Sequence, residues 1–281
     1  LRPLPGQDDL FQQLRYLKID IVPGESRITL SDSCSGHILS AGIMPLMPPS
    51  DTVSLEGEVV FGGYGYVNSE EEYNDLAGIS LKDKIVVIMT RIPEIFGSGM
   101  PAPGSGISEM TEVRKLSMIM LLQARAIIFV ADPALGNDIS SDLLSMGSPY
   151  QLTPLFRKQI FSFSLNVYAI TTGTADQMLG GSGLTLRKLQ DSIASSLKPV
   201  SFIIPNLRTN ISVNVVRDTV TSNNIIGYVE GSDPVLKNEA VIFTAHYDHV
   251  GKDASGNIYN GANDNASGSV GLLNIASAFS S

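Results

Sequence analysis

A single cysteine, Cys34, stands among 281 residues, so no disulfide can form within the chain. Its ordinary reading is a buried or inert thiol. The compartment stays open on this count, because exported bacterial proteins can also lack disulfides. No stretch reaches the roughly 20 apolar residues that a membrane span needs. The longest apolar runs, residues 126–131 and 240–245, have the length of buried strands. Positive charge is scarce: 19 Lys and Arg against 28 Asp and Glu leave a net charge of −9. That argues against nucleic-acid binding, which needs clustered Lys and Arg, and leaves an acidic surface that favours solubility. No Gly-x-Ser-x-Gly elbow is present, so a serine nucleophile has no support. Repeats and low-complexity tracts are absent. The start, Leu1-Arg2-Pro3, carries neither an initiator Met nor a basic-then-apolar leader pattern. Both ends read as cut.

What is present divides the chain into three stretches. Residues 1–54 alternate short apolar runs with turns. Ile19 and Ile21, then Ile28 and Leu30, predict two short strands around Pro23-Gly24, and residues 44–50 form a Pro-rich strap. Residues 55–195 read as a second unit. It holds a strand at Val59-Val60-Phe61 entering the turn Gly62-Gly63-Tyr64-Gly65, and a β-branched strand at 84–89. A Gly- and Pro-rich loop follows at 97–106. A helix is expected from Ser108, as N-cap, to Ala124, with Val113, Leu116 and Met120 on one face. A buried strand at 126–130 follows, and then an amphipathic helix marked by Leu186, Leu189 and Ile193. Residues 196–281 form the third stretch. Strands are expected at Ile211–Val215 and Asn224–Val229, and at Ala240–Ala245, which is apolar on both faces like a central strand between helices. After Ser267, Leu272, Ile275, Ala276 and Phe279 share a helical face that Val270 and Leu273 widen, which predicts a well-buried helix. The expected class is α/β.

The chemistry concentrates between Thr244 and Gly268. His246 follows directly on the predicted central strand, and ligands in open α/β sheets bind beyond the carboxyl ends of strands. Asp248 returns to the same side two residues later. A carboxylate there can take the other ring N–H of a metal-bound histidine, fixing its tautomer. Asp264 sits in a tight turn, Gly261-Ala-Asn-Asp-Asn265-Ala-Ser-Gly268, where a carboxylate with two oxygens can bridge two cations about 3.5–4 Å apart. Singly, each residue has a plainer reading: a core histidine, or a helix N-cap. Together they predict a metal site. Asn265 is a candidate for the cleft. His249 fits the cleft, support of the metal shell, or the surface.

His246-Tyr-Asp-His-Val-Gly followed by Gly261-Ala-Asn-Asp-Asn-Ala-Ser-Gly resembles the motif pair of the co-catalytic zinc aminopeptidases. That family also contains glutamate carboxypeptidase and the peptidase-like transferrin receptor. Residues 222–234 resemble the strand and turn that precede the His-x-Asp strand. Residues 57–66, 81–87 and 126–133 resemble the protease-associated domain often inserted in such enzymes. Residues 4–13 resemble the segment leading into the family's first strand. The resemblance implies a partial peptidase α/β sheet domain with an inserted mixed β/α protease-associated domain. It implies two zinc ions, held in part by His246 and a bridging Asp264, with Asp248 orienting His246 as the catalytic-site carboxylate. It further implies a cis Asp264–Asn265 peptide, a peptide substrate bound by its free amino terminus, and a secreted or periplasmic setting. A carboxypeptidase of the same family and a non-catalytic peptidase-like binding protein are the alternatives. The family's Glu-Glu pair, a further acidic ligand and a final His follow downstream, beyond Ser281, and neither Glu239 nor Asp253 sits in a comparable motif. The expectation is therefore that the 281 residues alone are catalytically silent.

Overall fold

A computed structural model of the chain describes residues 1–22, 24–34, 36, 38–70, 72–97, 107–135, 150–154, 166–252 and 256–280. The expected 97–106 loop after Gly97, and part of the Pro23-Gly24 turn, lie outside the described residues. In chain order the strands are β1 (Phe11–Ile21), β2 (Arg27–Asp32), β3 (Ile38–Gly42), β4 (Met44–Pro45), β5 (Val53–Gly62), β6 (Val67–Asn68), β7 (Tyr73–Asn74) and β8 (Ile85–Met89). They continue with β9 (Ala126–Val130), β10 (Tyr150–Pro154), β11 (Val167–Ile170), β12 (Ser201–Val213), β13 (Val215–Ile225), β14 (Gly251–Lys252) and β15 (Ile258–Tyr259). The helices are α1 (Ile107–Leu121), α2 (Thr172–Leu179), α3 (Leu186–Ser196) and α4 (Ser267–Ser280). The chain is α/β, as its alternation of apolar strands and helices predicts. It forms two compact units: Arg15–Val220, and Leu1–Leu14 with Thr221–Ser281.

The larger unit is built on an eight-stranded sheet ordered β3-β2-β12-β5-β8-β9-β11-β4. β5, β8, β9 and β11 run parallel; β12, β2, β3 and β4 join antiparallel. Every residue of β8 and β9 is buried, which is why they read as unbroken apolar runs: helices cover both faces of a parallel sheet. The period of two sorts the side chains. Val59, Phe61, Ile85, Val87, Ile128 and Val130 face a core completed by Met178, Leu186, Leu189 and Ile193 of α2 and α3. Val60, Val86, Ile88, Ile127 and Phe129 face Leu116 and Ile119 of α1. Thr171 and Thr185 cap α2 and α3 by accepting hydrogen bonds from the Thr174 and Lys188 amides at 3.2 and 3.3 Å. These hydroxyls satisfy N–H groups that a helix start leaves unpaired.

Several details depart from the sequence reading. The interval 55–195 lies inside this unit, but its sheet also takes in β2, β3 and β4 from before it and β12 from after it. β12 pairs with β5 from Ser201↔Gly62 to Val213↔Val53, across a register shift between Ile203 and Arg208. Hydrogen bonding between strands distant in sequence draws the flanks in, and no local signal announces such pairing. The predicted strands around Pro23-Gly24 exist but do not pair with each other: β1 pairs with β10, and β2 with β3 and β12. On α1, Val113 is exposed, and the inward face carries Glu112, Lys115, Leu116 and Ile119 instead. Cys34 is exposed rather than buried. Asn210, which opens a glycosylation-type Asn-Ile-Ser, lies within β12 opposite both Thr29 and Glu56.

Polar groups cluster at the carboxyl ends of β5, β8 and β9. Lys115 Nζ pairs with Glu112 at 2.8 Å and donates to the Met89 carbonyl at 3.0 Å, and the Arg91 amide donates to Glu112. Asp75, 1% exposed, accepts from the Tyr64 and Tyr66 amides at 3.0 and 3.1 Å and from the Tyr73 hydroxyl at 2.9 Å. Burial outweighs these bonds and the nearby Lys115 charge, and pushes the Asp75 carboxyl up to about 6. A carboxyl whose pKa rises on folding favours the folded lobe below its ordinary range, and that contribution is lost as pH rises through about 6. A carboxyl-carbon NMR titration should therefore give Asp75 a midpoint near 6. A midpoint in the ordinary carboxylate range would contradict the desolvation.

The smaller unit begins where β1 and β13 are extended. The Ile226 amide donates to the Leu10 carbonyl at 2.8 Å, and Arg2 and Tyr228 exchange hydrogen bonds at 3.0 and 2.9 Å. The strand expected at Asn224–Val229 is thus the end of β13 plus one isolated bridge. Residues 240–250 form no strand, and Val241 and Ile242 are 82% and 80% exposed. An apolar segment becomes a central strand only when neighbours pair with its edges and helices cover its faces; among the described residues nothing does either. For the same reason α4 is only half-covered: Leu272, Ile275 and Ala276 are partly buried, while Val270, Leu273 and Phe279 are exposed.

Candidate metal centre

His246 lies in the irregular segment 240–250, and Asp264 in a wide turn at 262–266 that runs straight into α4. The turn opens on Gly261, whose φ of +65° suits glycine. It is closed by the Ala266 amide donating to the Gly261 carbonyl at 3.0 Å, and by the Ser267 hydroxyl donating to the Asn263 carbonyl at 2.9 Å. The Asp264–Asn265 peptide is cis. Asn265 Oδ1 accepts from the Gly268 amide at 3.1 Å, and a Cβ on Gly268 would fall 2.1 Å from that oxygen. A residue with a Cβ at 268 would therefore push the Asn265 side chain out of this bond.

His246 Nε2 stands 3.1 Å from Asp264 Oδ1. On the other side of the ring, Nδ1 is 3.0 Å from the Asp248 main-chain carbonyl and 3.5 Å from its carboxylate. A carbonyl can only accept, so Nδ1 carries the proton and donates it there. In the neutral ring Nε2 then presents a lone pair to a carboxylate oxygen, and two acceptors at that separation need a cation between them. A proton is one such cation. The hydrogen bond to the Asp248 carbonyl raises the His246 pKa most; desolvation opposes it, and the charges of Asp264 and Asp248 with the hydrogen bond to Asp264 add to the rise. A metal ion is the other. Zinc takes nitrogen and oxygen donors at about 2.0–2.2 Å in tetrahedral geometry, which places two ligand atoms a little over 3 Å apart. The donor types and their spacing fit a transition metal, as two members of a ligand set. Among the described residues no three His, Cys, Asp or Glu side chains converge.

The sequence-predicted residues therefore separate. His246 and Asp264 come together. Asp248 meets the ring at Nδ1 with its main-chain carbonyl at 3.0 Å, while its carboxylate, 89% exposed, lies farther off at 3.5 Å. His249 packs over Gly261, where a Cβ would fall 2.8 Å from its ring, so it supports the turn that carries Asp264. Asn265 braces the start of α4. Sequence reasoning missed Ser269, whose hydroxyl donates to the His246 carbonyl at 3.0 Å. A contact 23 residues away leaves no local sequence signal.

Residues 224–281 match the model of the family described as Peptidase family M28. No curated protein matches the chain. Among solved structures, the chain is similar to BSAP, a zinc aminopeptidase from Bacillus subtilis. One structure of that protein is 10% identical over 72% of this chain and 35% of its own, with a TM-score of 0.29. A second is 16% identical over 90% of this chain and 44% of its own, also at 0.29. The chain thus spans less than half the length of the structures it matches, and superposition at this level carries no argument about fold or function.

Proposed function

We propose that this chain, whose residues 224–281 match the model of peptidase family M28, supplies part of the two-zinc site of an aminopeptidase that removes N-terminal residues from peptides. The observation that supports this most is the pair of facing acceptors, His246 Nε2 and Asp264 Oδ1 at 3.1 Å, with the ring tautomer set by the Asp248 carbonyl. A neutral imidazole fixed in that tautomer offers its free nitrogen to a metal. His246 and Asp264 would hold zinc, which when bound polarises a scissile carbonyl and makes water acidic enough to attack it. The chain's own residues do the positioning. The turn 261–266 carries Asp264, the Asp248 carbonyl holds the ring, and Asn265 and Gly268 fix the entry into α4. The interval 55–195, inside the larger unit, we read as a protease-associated domain that shapes access to the cleft or binds substrate and performs no chemistry.

The test is hydrolysis of an aminoacyl chromogenic amide by the protein expressed from its natural gene. His246→Ala and Asp264→Asn should each lower kcat/KM by about 100-fold or more, as expected when a metal ligand is lost. Acetylation of the substrate's amino terminus should abolish turnover. Activity indifferent to both substitutions would refute the site. Activity that depends on both but acts on blocked peptides with a free carboxyl end would replace the aminopeptidase by a carboxypeptidase.

A further inference from the structure

The segment that carries His246 has no strand neighbours among the described residues, so something else must hold its main chain in place. Tyr247 donates its hydroxyl to the Asn223 carbonyl at a long 3.4 Å. The Ser269 hydroxyl donates to the His246 carbonyl at 3.0 Å. Ser269 is the third residue of α4 and is half-buried. It continues the turn that presents Asp264, and the bonds from Ala266 to Gly261, Ser267 to Asn263 and Gly268 to Asn265 tie that turn to the helix start. One local structure therefore meets His246 at two points: Asp264 at the imidazole and Ser269 at the backbone carbonyl.

We infer that Ser269 is a positioning residue, which by clamping the His246 main chain to the first turn of α4 holds the imidazole against Asp264. With the hydroxyl removed, the ring keeps its bond to the Asp248 carbonyl but loses its registration on the turn, since 240–250 has no regular structure to restore it. Groups that orient metal ligands typically change metal affinity by about 10–100-fold. The metal consequence rests on the zinc reading above; the positioning itself does not.

Two measurements on the 281-residue chain separate these. The first is metal-free. In imidazole nitrogen NMR spectra, Asp264→Asn should move the His246 Nε2 resonance. Ser269→Ala should move it in the same direction, and Ser269→Thr, which keeps a hydroxyl at the same branch point, should leave it near the wild-type position. Amide resonances of Leu1–Leu14 and Thr221–Lys237, in the same unit but away from the substituted turn, should not change in any variant, which reports that this unit keeps its fold. The second is a Co2+ titration followed by its visible absorption. Ser269→Ala should weaken His246-dependent binding by about 10-fold, with Ser269→Thr restoring it. An unmoved His246 resonance in Ser269→Ala, or a threonine variant as shifted as the alanine one, overturns the inference. Co2+ binding that ignores His246→Ala overturns the zinc reading instead, and leaves the NMR result to decide the role of Ser269.

Discussion

Given excess Zn2+ and an aminoacyl chromogenic amide, the 281 residues by themselves should turn substrate over no faster than Zn2+ in buffer. Catalytic zinc sites normally hold the ion with three protein ligands, and among the described residues only His246 and Asp264 come together with their donors aimed at one point. Both are well exposed, at 52% and 73% of their side-chain surface, so water competes for each coordination position. Amide hydrolysis also needs a base to take the proton of the attacking water, a contribution worth about 10²–10⁴-fold. Among the described residues, the other carboxylate near His246 is that of Asp248, which is 89% exposed and sits at Nδ1, on the opposite side of the ring from Asp264. Metal binding should weaken further as pH falls through the raised pKa of His246, because proton and metal compete for the same nitrogen. The measurement is the rate of the 281 residues against that of Zn2+ in buffer alone. Turnover well above that blank would show that the 281 residues hold a complete site.

Gly63→Ala should be the most damaging single-methyl change in the larger unit. Gly63 has φ +57°, and a Cβ there would lie 2.4 Å from Asp75 Oδ1 and 2.7 Å from its Cγ. The left-handed backbone costs a non-glycine residue about 1–3 kcal/mol. The contact adds more, because Asp75 cannot retreat without giving up buried bonds to Tyr64, Tyr66 and Tyr73, each unsatisfied partner costing about 1–3 kcal/mol. The total is on the order of 3–5 kcal/mol, or about 10 °C in Tm for a unit of this size. Gly78→Ala is the control. Its φ is +72°, but nothing lies within 4 Å of the added methyl, so only the backbone cost of about 1 kcal/mol should appear. Equal Tm losses in the two variants would mean that the Asp75 contact contributes nothing.

Much of the larger unit was legible because its signals are local. Continuous burial leaves unbroken apolar runs at β8 and β9, and an amphipathic period marks Leu186, Leu189 and Ile193. Where packing overrode the pattern, the reason is specific. Val113 fits the apolar face of α1 by spacing, yet the buried Glu112–Lys115 pair rotates that face toward the carboxyl ends of β5, β8 and β9. Such a pair reads from sequence as a solvated helix surface. The eight-stranded sheet likewise reaches past 55–195 to β2, β3, β4 and β12, since strand partners are chosen by long-range hydrogen bonding that no window of residues encodes.

The sequence by itself pointed to the residues on which the proposed metal chemistry rests. Imidazole and carboxylate donors in a long, specific spacing identify His246 and Asp264, because donor chemistry belongs to residue type. It also determined the α/β class, because periodicity belongs to the chain. Only the tertiary structure decided that the Asp248 carbonyl comes closer to the ring than its carboxylate does, at 3.0 against 3.5 Å. The same is true of Ser269 reaching the His246 backbone from α4 and of residues 240–250 staying out of any strand. Each of these depends on distances of a few tenths of an ångström, or on partners brought from elsewhere in the chain, and such distances exist only once the chain has folded.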